Sequence, residues 1–411
     1  MRTHPLRHQI IGEVHARPFQ KLYSPVSLIH VAVTVDDQTH LDRVKREVVK
    51  LAQEMGLYDA PLGSFFFCRN ELCALRFELH NEFYTLTAYR FGSEDLPSGF
   101  LERIQSLDGA FLCGCELVCS GGPEDVDTWV RGQFKHQIAG SEMMGGAARA
   151  WTDFHHRDDS GLTRILVEDI SLGSYQRGRL LQRLCEIEVY RHMALLGLPE
   201  AHRVMPQVSR FDQSLARISS RLSSEPAADL LDELTVLASG VEALAASTAN
   251  RFAATEAYFA LVDSRIDELR EARIEGLQTI AQFMERRADP AHRTCRSTGQ
   301  RIESLSQRIA RTSELIRSQV DLSTEQQVRD LLSTLSGRAR SQLRLQAKLE
   351  GFTVIVVTYY AFDLIERTLR NTIQVDRLLD MALLILGGAV PLIALVLWLY
   401  VRRMLRGIED D

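Results

Sequence analysis

MALLILGGAVPLIALVLWLYV, Met381 to Val401, is an unbroken apolar run with no charged residue. As a helix rising ~1.5 Å per residue it reaches ~30 Å, the thickness of a bilayer's hydrocarbon core. Trp398 and Tyr400 stand near one end, where amphipathic rings favour the headgroup level, and Arg402, Arg403 and Arg406 follow. Gly387, Gly388 and Pro391 weaken a soluble helix but are tolerated in a membrane, where neighbouring groups satisfy the freed backbone. The stretch predicts a transmembrane helix rather than a buried core helix, and makes the lipid bilayer the first expected partner.

A second hydrophobic segment, GFTVIVVTYYAFDLI, runs from Gly351 to Ile365 and carries Asp363 near its end. Each large apolar residue favours insertion by roughly 0.3–0.6 kcal/mol, while a central Asp costs ~3 kcal/mol, so the balance is close. An intramembrane carboxylate such as Asp363 is also a candidate for an ion path. Arg338, Arg340, Arg344 and Lys348 precede this segment. Between the two segments Arg367, Arg370 and Arg377 are offset by Glu366, Asp376 and Asp380. Basic flanks on the same side of the membrane call for two crossings. The expectation is a membrane hairpin over 351–411, with spans at about 351–370 and 381–401 and a short basic tail.

The 411 residues suffice for two or three domains. With 25% charged and 45% apolar residues the mix is that of a globular protein, and a net charge of −6 gives no reason to expect nucleic acid. The N-terminal MRTHPLRHQIIGEVHARPFQ lacks the apolar core of a secretory signal, so the N-terminal bulk is expected to stay in the cytoplasm. Seven cysteines without framework spacing fit a reducing compartment.

Along the chain, VSLIHVAVTV (Val26 to Val35) reads as a buried strand, and Leu41 to Met55 as a helix stopped by Gly56. Strands at Leu62–Cys68, Leu72–Leu79 and Phe83–Phe91 follow with tight turns, as a meander. A helix near Phe100–Leu107, a strand at Phe111–Cys119 and a helix from Pro123 towards Phe134 come next. Gly140 to Gly146 reads as a flexible loop before a hairpin of Ala147–His155 and Leu162–Ile170. Gln176 to Leu196 is a helix stopped by Gly197-Leu198-Pro199. Beyond it only helical periodicity remains. A long helix is expected over Val241–Arg287, breaking at Asp289-Pro290, with a capping box at Ser297 and Gln300 and an interruption at Ser323-Thr324. The predicted fold is an α+β (mixed α/β) N-terminal domain over 1–200, an all-α helical stalk over 201–350 and C-terminal transmembrane helices.

Two places gather polar chemistry. The N-terminal stretch carries His4, Arg7, Glu13, His15 and Arg17. Glu13 and His15 point the same way on a strand, as an acid/base pair or the start of a metal site, but no further ligand stands at metal-site spacing. In the helix over 176–196, Arg183, Glu186, Glu188 and Arg191 surround an apolar stripe. Glu186 and Glu188 splay apart on a helix, so an arginine–glutamate network is the better expectation than paired catalytic carboxylates. Cys113, Cys115 and Cys119 share one face of a strand, but lack a fourth ligand and read as small hydrophobes in a core. No catalytic residue, metal or cofactor is assigned.

HPLR (His4 to Arg7), EVHARPF (Glu13 to Phe19), GRLLQRLCEIEVYRHMALLGLP (Gly178 to Pro199) and QLRLQAKLEGFTVIVVTYY (Gln342 to Tyr360) resemble the DUF3422 family, uncharacterised bacterial membrane-anchored proteins. The resemblance runs over nearly the whole chain. It implies a large N-terminal portion, C-terminal membrane helices and a place in the bacterial inner membrane, and it lends no catalytic residues. Asp363, Glu366 and Arg367 depart from the more apolar segment expected of the family. In layout alone the chain is also similar to CorA-type magnesium channels. It lacks their Gly-Met-Asn signature, reading ERTLRNTIQVDR at the corresponding place. The expected function is an oligomeric structural or interaction protein, self-associating and binding a cytoplasmic protein partner, with a cation channel or transporter as the alternative.

Overall fold

The computed structural model describes residues 4, 7, 19–35, 38–58, 63–92, 100–157 and 160–372, with scattered positions between 381 and 400. Those residues form a nine-stranded sheet in the order β2-β3-β4-β1-β5-β8-β7-β6-β9. Its strands are β1 (Val26–Thr34), β2 (Phe65–Arg69), β3 (Cys73–Leu79), β4 (Phe83–Phe91), β5 (Ala110–Ser120), β6 (Ala139–Met143), β7 (Ala148–His156), β8 (Thr163–Asp169) and β9 (Ala272–Arg273). Neighbours are antiparallel except β5 and β8, which run parallel.

Strand alternation divides the sheet into two apolar faces. Val31, Leu75, Phe77, Tyr84 and Leu86 point to one face. Helix α1 (Gln38–Glu54) covers it with Val44, Val48 and Leu51, and α2 (Phe100–Gln105) adds Ile104. Leu28, Cys115, Leu117, Ile165 and Val167 point to the other face. There they meet Leu180, Leu184 and Ile187 of α4 (Ser174–Leu195) and Phe259, Val262 and Ile266 of α6 (Ala227–Leu269). Helix α3 (Val126–Gln133), capped by Asp125, precedes α4 in sequence, and α5 (Gly197–Arg221) lies between α4 and α6. After α6 the chain turns at Arg270, whose φ is 51°, adds β9 to the sheet edge and enters α7 (Ile280–Arg287). Helix α8 (Asp289–Thr372) is 84 residues long. Contacts divide the chain into two compact units, 1–313 and 314–411.

The expected C-terminal transmembrane helices are corrected here. Among the described residues no helix is long and apolar enough to cross a membrane. The segment expected to span 351–370 is the end of α8, where Asp363 pairs with Arg367 at 3.1 Å and Glu366 interrupts the apolar run. The span expected at 381–401 is described only in pieces, and Arg402, Arg403 and the rest of the tail lie outside the described residues. The layout likeness to CorA-type channels needed both crossings, and the described helices provide neither.

Three local expectations also change. Gly140, expected in a loop, lies in β6, because a Cβ there would stand 2.4 Å from Trp151 Cδ1 and only glycine admits the indole. The helix expected over 241–287 starts earlier and ends at Leu269. Helix α8 runs through Ser297 and Ser323-Thr324 without a break. Their hydroxyls donate back to carbonyls one turn earlier, Ser297 to Thr294 at 3.1 Å and Thr324 to Val320 at 2.9 Å, so they need no cap.

The chain entering β1 crosses α4 closely. A Cβ on Gly178 would lie 1.8 Å from the Gln20 carbonyl oxygen. Leu22 N–H donates to Ser174 O at 3.1 Å, and Arg177 Nη1 to Leu22 O at 2.6 Å. Gly178→Ala should therefore destabilise by about 1–3 kcal/mol, since a clash with backbone outweighs the helix preference for alanine. At Gly299, in α8, a Cβ meets only Phe252 at 3.6 Å, and Gly299→Ala should stabilise by up to about 1 kcal/mol. Urea unfolding of the two variants checks the opposite signs.

Candidate functional site

The α4 side of the sheet is not wholly apolar. Register places Arg76 of β3 opposite Thr87 of β4, Thr87 opposite His30 of β1, and His30 opposite Cys115 of β5. This row, with Glu78, Thr85 and Tyr89, faces Gln182, Arg183, Cys185 and Glu186 of α4 and Arg265 of α6. Together they line a partly open cavity of about 210 Å³, whose other walls include Phe19, Leu28, Phe83, Val189 and Tyr190. That is about seven water volumes at ~30 Å³ each, room for a small metabolite.

A continuous polar ladder crosses the cavity. Arg76 is 4% exposed, donates from Nη1 to Gln182 Oε1 at 2.6 Å, and pairs with Glu78 at 3.0 Å. Gln182 Nε2 donates to Glu186 Oε1 at 2.6 Å. Glu186 accepts from Arg183 at 2.8 Å and from Arg265 Nε. Both arginines also hold Glu268, Arg183 at 2.5 Å and Arg265 at 2.9 Å, which ties α4 to α6. Phe19 packs under the Arg179 and Arg183 guanidinium groups, 5.3 and 4.9 Å from the ring centre. Three guanidinium groups and two carboxylates thus line one small volume, and the Arg76 Nε and Nη2 make no aligned hydrogen bond.

His30 is neutral in this setting. Its Nδ1 lies 2.7 Å from Thr87 Oγ1. Burial, then the Arg76 and His80 charges, lower its pKa from 6.5 to about 3, against an opposing pull from Glu188. Burial likewise pushes the Tyr89 hydroxyl up to about 12. The thiol of Cys115 stands 3.7 Å from that of Cys185, and this contact together with burial pushes Cys115 well above its ordinary range. Cys113 and Cys119 are buried and unpaired on the same strand.

Glu188 and Arg191 form a separate pair on another side of α4. Glu188 is fully buried, accepts from Arg191 Nε and Nη2, both at 2.8 Å, and from Thr163 Oγ1 at 2.7 Å. Burial opposes its charge, but Arg191 and the hydrogen bonds outweigh it and hold the carboxyl below the usual range. Of the N-terminal candidates, His4 and Arg7 are exposed, while Glu13, His15 and Arg17 lie outside the described residues. Asp363 lies on α8 beside Arg367, and Trp398 is 45% exposed.

The cavity thus unites Arg183 and Glu186 with residues that sequence reasoning left out: His30, Arg76, Thr87, Gln182 and Arg265. One signal was present in CALRFEL, where Arg76 and Glu78 alternate with apolar residues in a strand buried on both faces. Between its unfolded value of 6.5 and its folded value of about 3, His30 binds a proton more readily in the unfolded chain. Its contribution to stability is therefore full above pH 6.5 and is lost as pH falls towards 3, at ~1.4 kcal/mol per pH unit within that window. In urea unfolding between about pH 6 and pH 4, His30→Gln should show a slope shallower by about 1 kcal/mol per pH unit.

No curated protein matches the chain. The model of one family, described as a protein of unknown function (DUF3422), matches residues 2–408. With nearly its whole length matched, the chain belongs to the DUF3422 family.

Proposed function

We propose that this protein is an interaction protein that self-associates along the C-terminal part of α8. The observation that carries this is an apolar seam. Every described side chain from Asp321 to Glu350 is exposed. Val328, Leu331, Leu335, Leu345, Leu349, Phe352 and Val356 recur at alternating steps of three and four, once Arg338 and Gln342 are counted in their places. That is the heptad seam of a coiled coil, and polar residues at core positions within it select register and partner. Val328 is 49% exposed, Leu331 61%, Leu349 59% and Phe352 66%. Helices gain most of their stability from packing an apolar stripe, so a helix exposed over this length is completed by another. A second copy supplies the same spacing and is the occupant proposed. All seven cysteines are buried as thiols, which supports a reducing compartment such as the bacterial cytoplasm for the globular unit.

Sedimentation equilibrium of the full chain tests this. Burying a leucine is worth roughly 1.5–3 kcal/mol, so Leu331→Lys with Leu349→Lys should weaken association at least ~100-fold. Ser333→Lys, on the opposite side of the helix, should leave it unchanged. A wild-type monomer at micromolar concentration overturns the proposal, as does association that the double variant retains.

Arg76 favours a second role, the capture of a small anion in the cavity. Its buried Nε has no aligned hydrogen bond, while Nη2 pairs with Glu78 at 3.0 Å, and two further guanidinium groups and an apolar wall stand beside it. A carboxylate or phosphate there would complete the donors at little reorganisation. Millimolar benzoate or inorganic phosphate should raise the thermal midpoint of the wild type and not that of Arg76→Met. Equal shifts in both proteins, or none in the wild type, remove this role.

A further inference from the structure

A pair of histidines stands apart from the cavity, where the end of β7 meets α4. His156 Nδ1 lies 3.0 Å from Gly161 O, and His192 Nδ1 lies 2.8 Å from Glu188 O. A carbonyl oxygen only accepts, so each Nδ1 carries the proton. In a neutral imidazole the other nitrogen is then a bare lone pair. The two Nε2 atoms face one another at 3.4 Å. Two lone pairs at that distance repel unless a cation lies between them.

The backbone shows how the pair is brought together. Between Thr152 and His156 strand β7 bulges, four residue steps matching the two from Ile165 to Thr163 on β8. Within the bulge Phe154 takes a φ of 53°, a conformation that aromatic residues rarely adopt. Phe154 is held there by stacking on Phe283 at 4.4 Å and by the Arg191 guanidinium 5.1 Å from its ring centre. Bulges and left-handed residues of this kind re-aim side chains at functional sites.

We propose that His156 and His192 form a two-imidazole binding site for a tetrahedral divalent metal ion of the zinc class. Zinc–nitrogen bonds of ~2.0–2.1 Å at a tetrahedral angle place two ligand nitrogens about 3.4 Å apart. A cis pair in a square plane would need about 2.9 Å, so the separation selects against copper-type geometry. Metal-bound histidines donate their second N–H to a carbonyl or carboxylate, and both residues already do so. No group of three or more His, Cys, Asp or Glu side chains suited to a metal occurs among the described residues. The described residues thus supply two ligands and leave two positions for water or an incoming ligand. His156 is exposed and provides the entry path.

Cobalt(II) is the probe, added to the chelator-treated full chain and followed by visible absorption, with zinc competition by calorimetry. One equivalent should bind with the intense spectrum of a tetrahedral site and be displaced by zinc. His156→Ala and His192→Ala should each weaken binding at least tenfold, while His155→Ala, the neighbour stacked on His136, should not. His156 is exposed, so its variant stays informative if loss of the more buried His192 impairs folding. Absence of cobalt binding, a weak octahedral spectrum, or binding retained in both variants would overturn the assignment; the last result would place the metal on others of the twelve histidines.

Discussion

Burial of one carboxylate sets the rotation of the helix on which the rest of the α4 side depends. Glu188 has no exposure at all, and a bare carboxylate in that position would cost several kcal/mol. It persists because Arg191, one turn along α4, grips it twice at 2.8 Å, and Thr163 of β8 donates to it at 2.7 Å. Losing Arg191 leaves an uncompensated charge in the core, a loss of about 3–5 kcal/mol for a buried pair. Rotations of α4 that turn Glu188 away from β8 are thereby excluded.

Once that rotation is set, the other polar positions follow from helix geometry. Residue 186 lies about 200° around the helix from 188, so Glu186 turns towards β3 and α6. Gln182 and Arg183, one turn earlier, turn with it and meet Arg76 and Glu268. His192 lies four residues beyond Glu188 and stays on the β8 side, where its Nδ1 donates to the Glu188 carbonyl. The cavity and the histidine pair are thus two consequences of one buried ion pair, on opposite flanks of the same helix. This also explains why α4 has apolar contacts nearly all round, with Leu180, Leu181, Leu184, Ile187, Val189 and Met193 all buried.

Much of this was legible locally. Strands β1, β3, β4, β7 and β8 stand within a few residues of where alternation and turn residues put them. The charges on α4 were visible too, as was the splay of Glu186 from Glu188. What a single sequence does not carry is which strands are neighbours. The turn between β3 and β4 put Arg76 near Thr87, but nothing in the sequence put His30, 57 residues before Thr87, beside it; only the pairing of β1 with β4 does so. Gly140 was misplaced because its glycine signals close approach of Trp151, not a loop. The transmembrane expectation at 351–370 failed for a related reason. Insertion was close to balance there and the basic flanks decided for a crossing, whereas the segment continues a helix whose Asp363 and Arg367 pair with each other along its surface.

Helix α8 shows two regimes along one continuous element. Near its start Cys295, Ile302, Leu305 and Ile309 are buried, and Arg296 and Arg308 pair with Glu256 and Asp212. That portion needs nothing beyond its own chain. From Asp321 the burial ends while apolar residues at three- and four-residue steps continue. Selection for solubility alone would replace exposed leucines at so many positions, since contiguous exposed apolar surface promotes unwanted association. The heptad-spaced stripe from Val328 to Val356, interrupted at Arg338 and Gln342 and flanked by exposed Leu332 and Leu343, suits the proposed association, because polar residues within a seam penalise misregistered partners. The same helix that packs on the globular core near its start therefore carries, further along, the heptad-spaced stripe on which the proposed self-association rests.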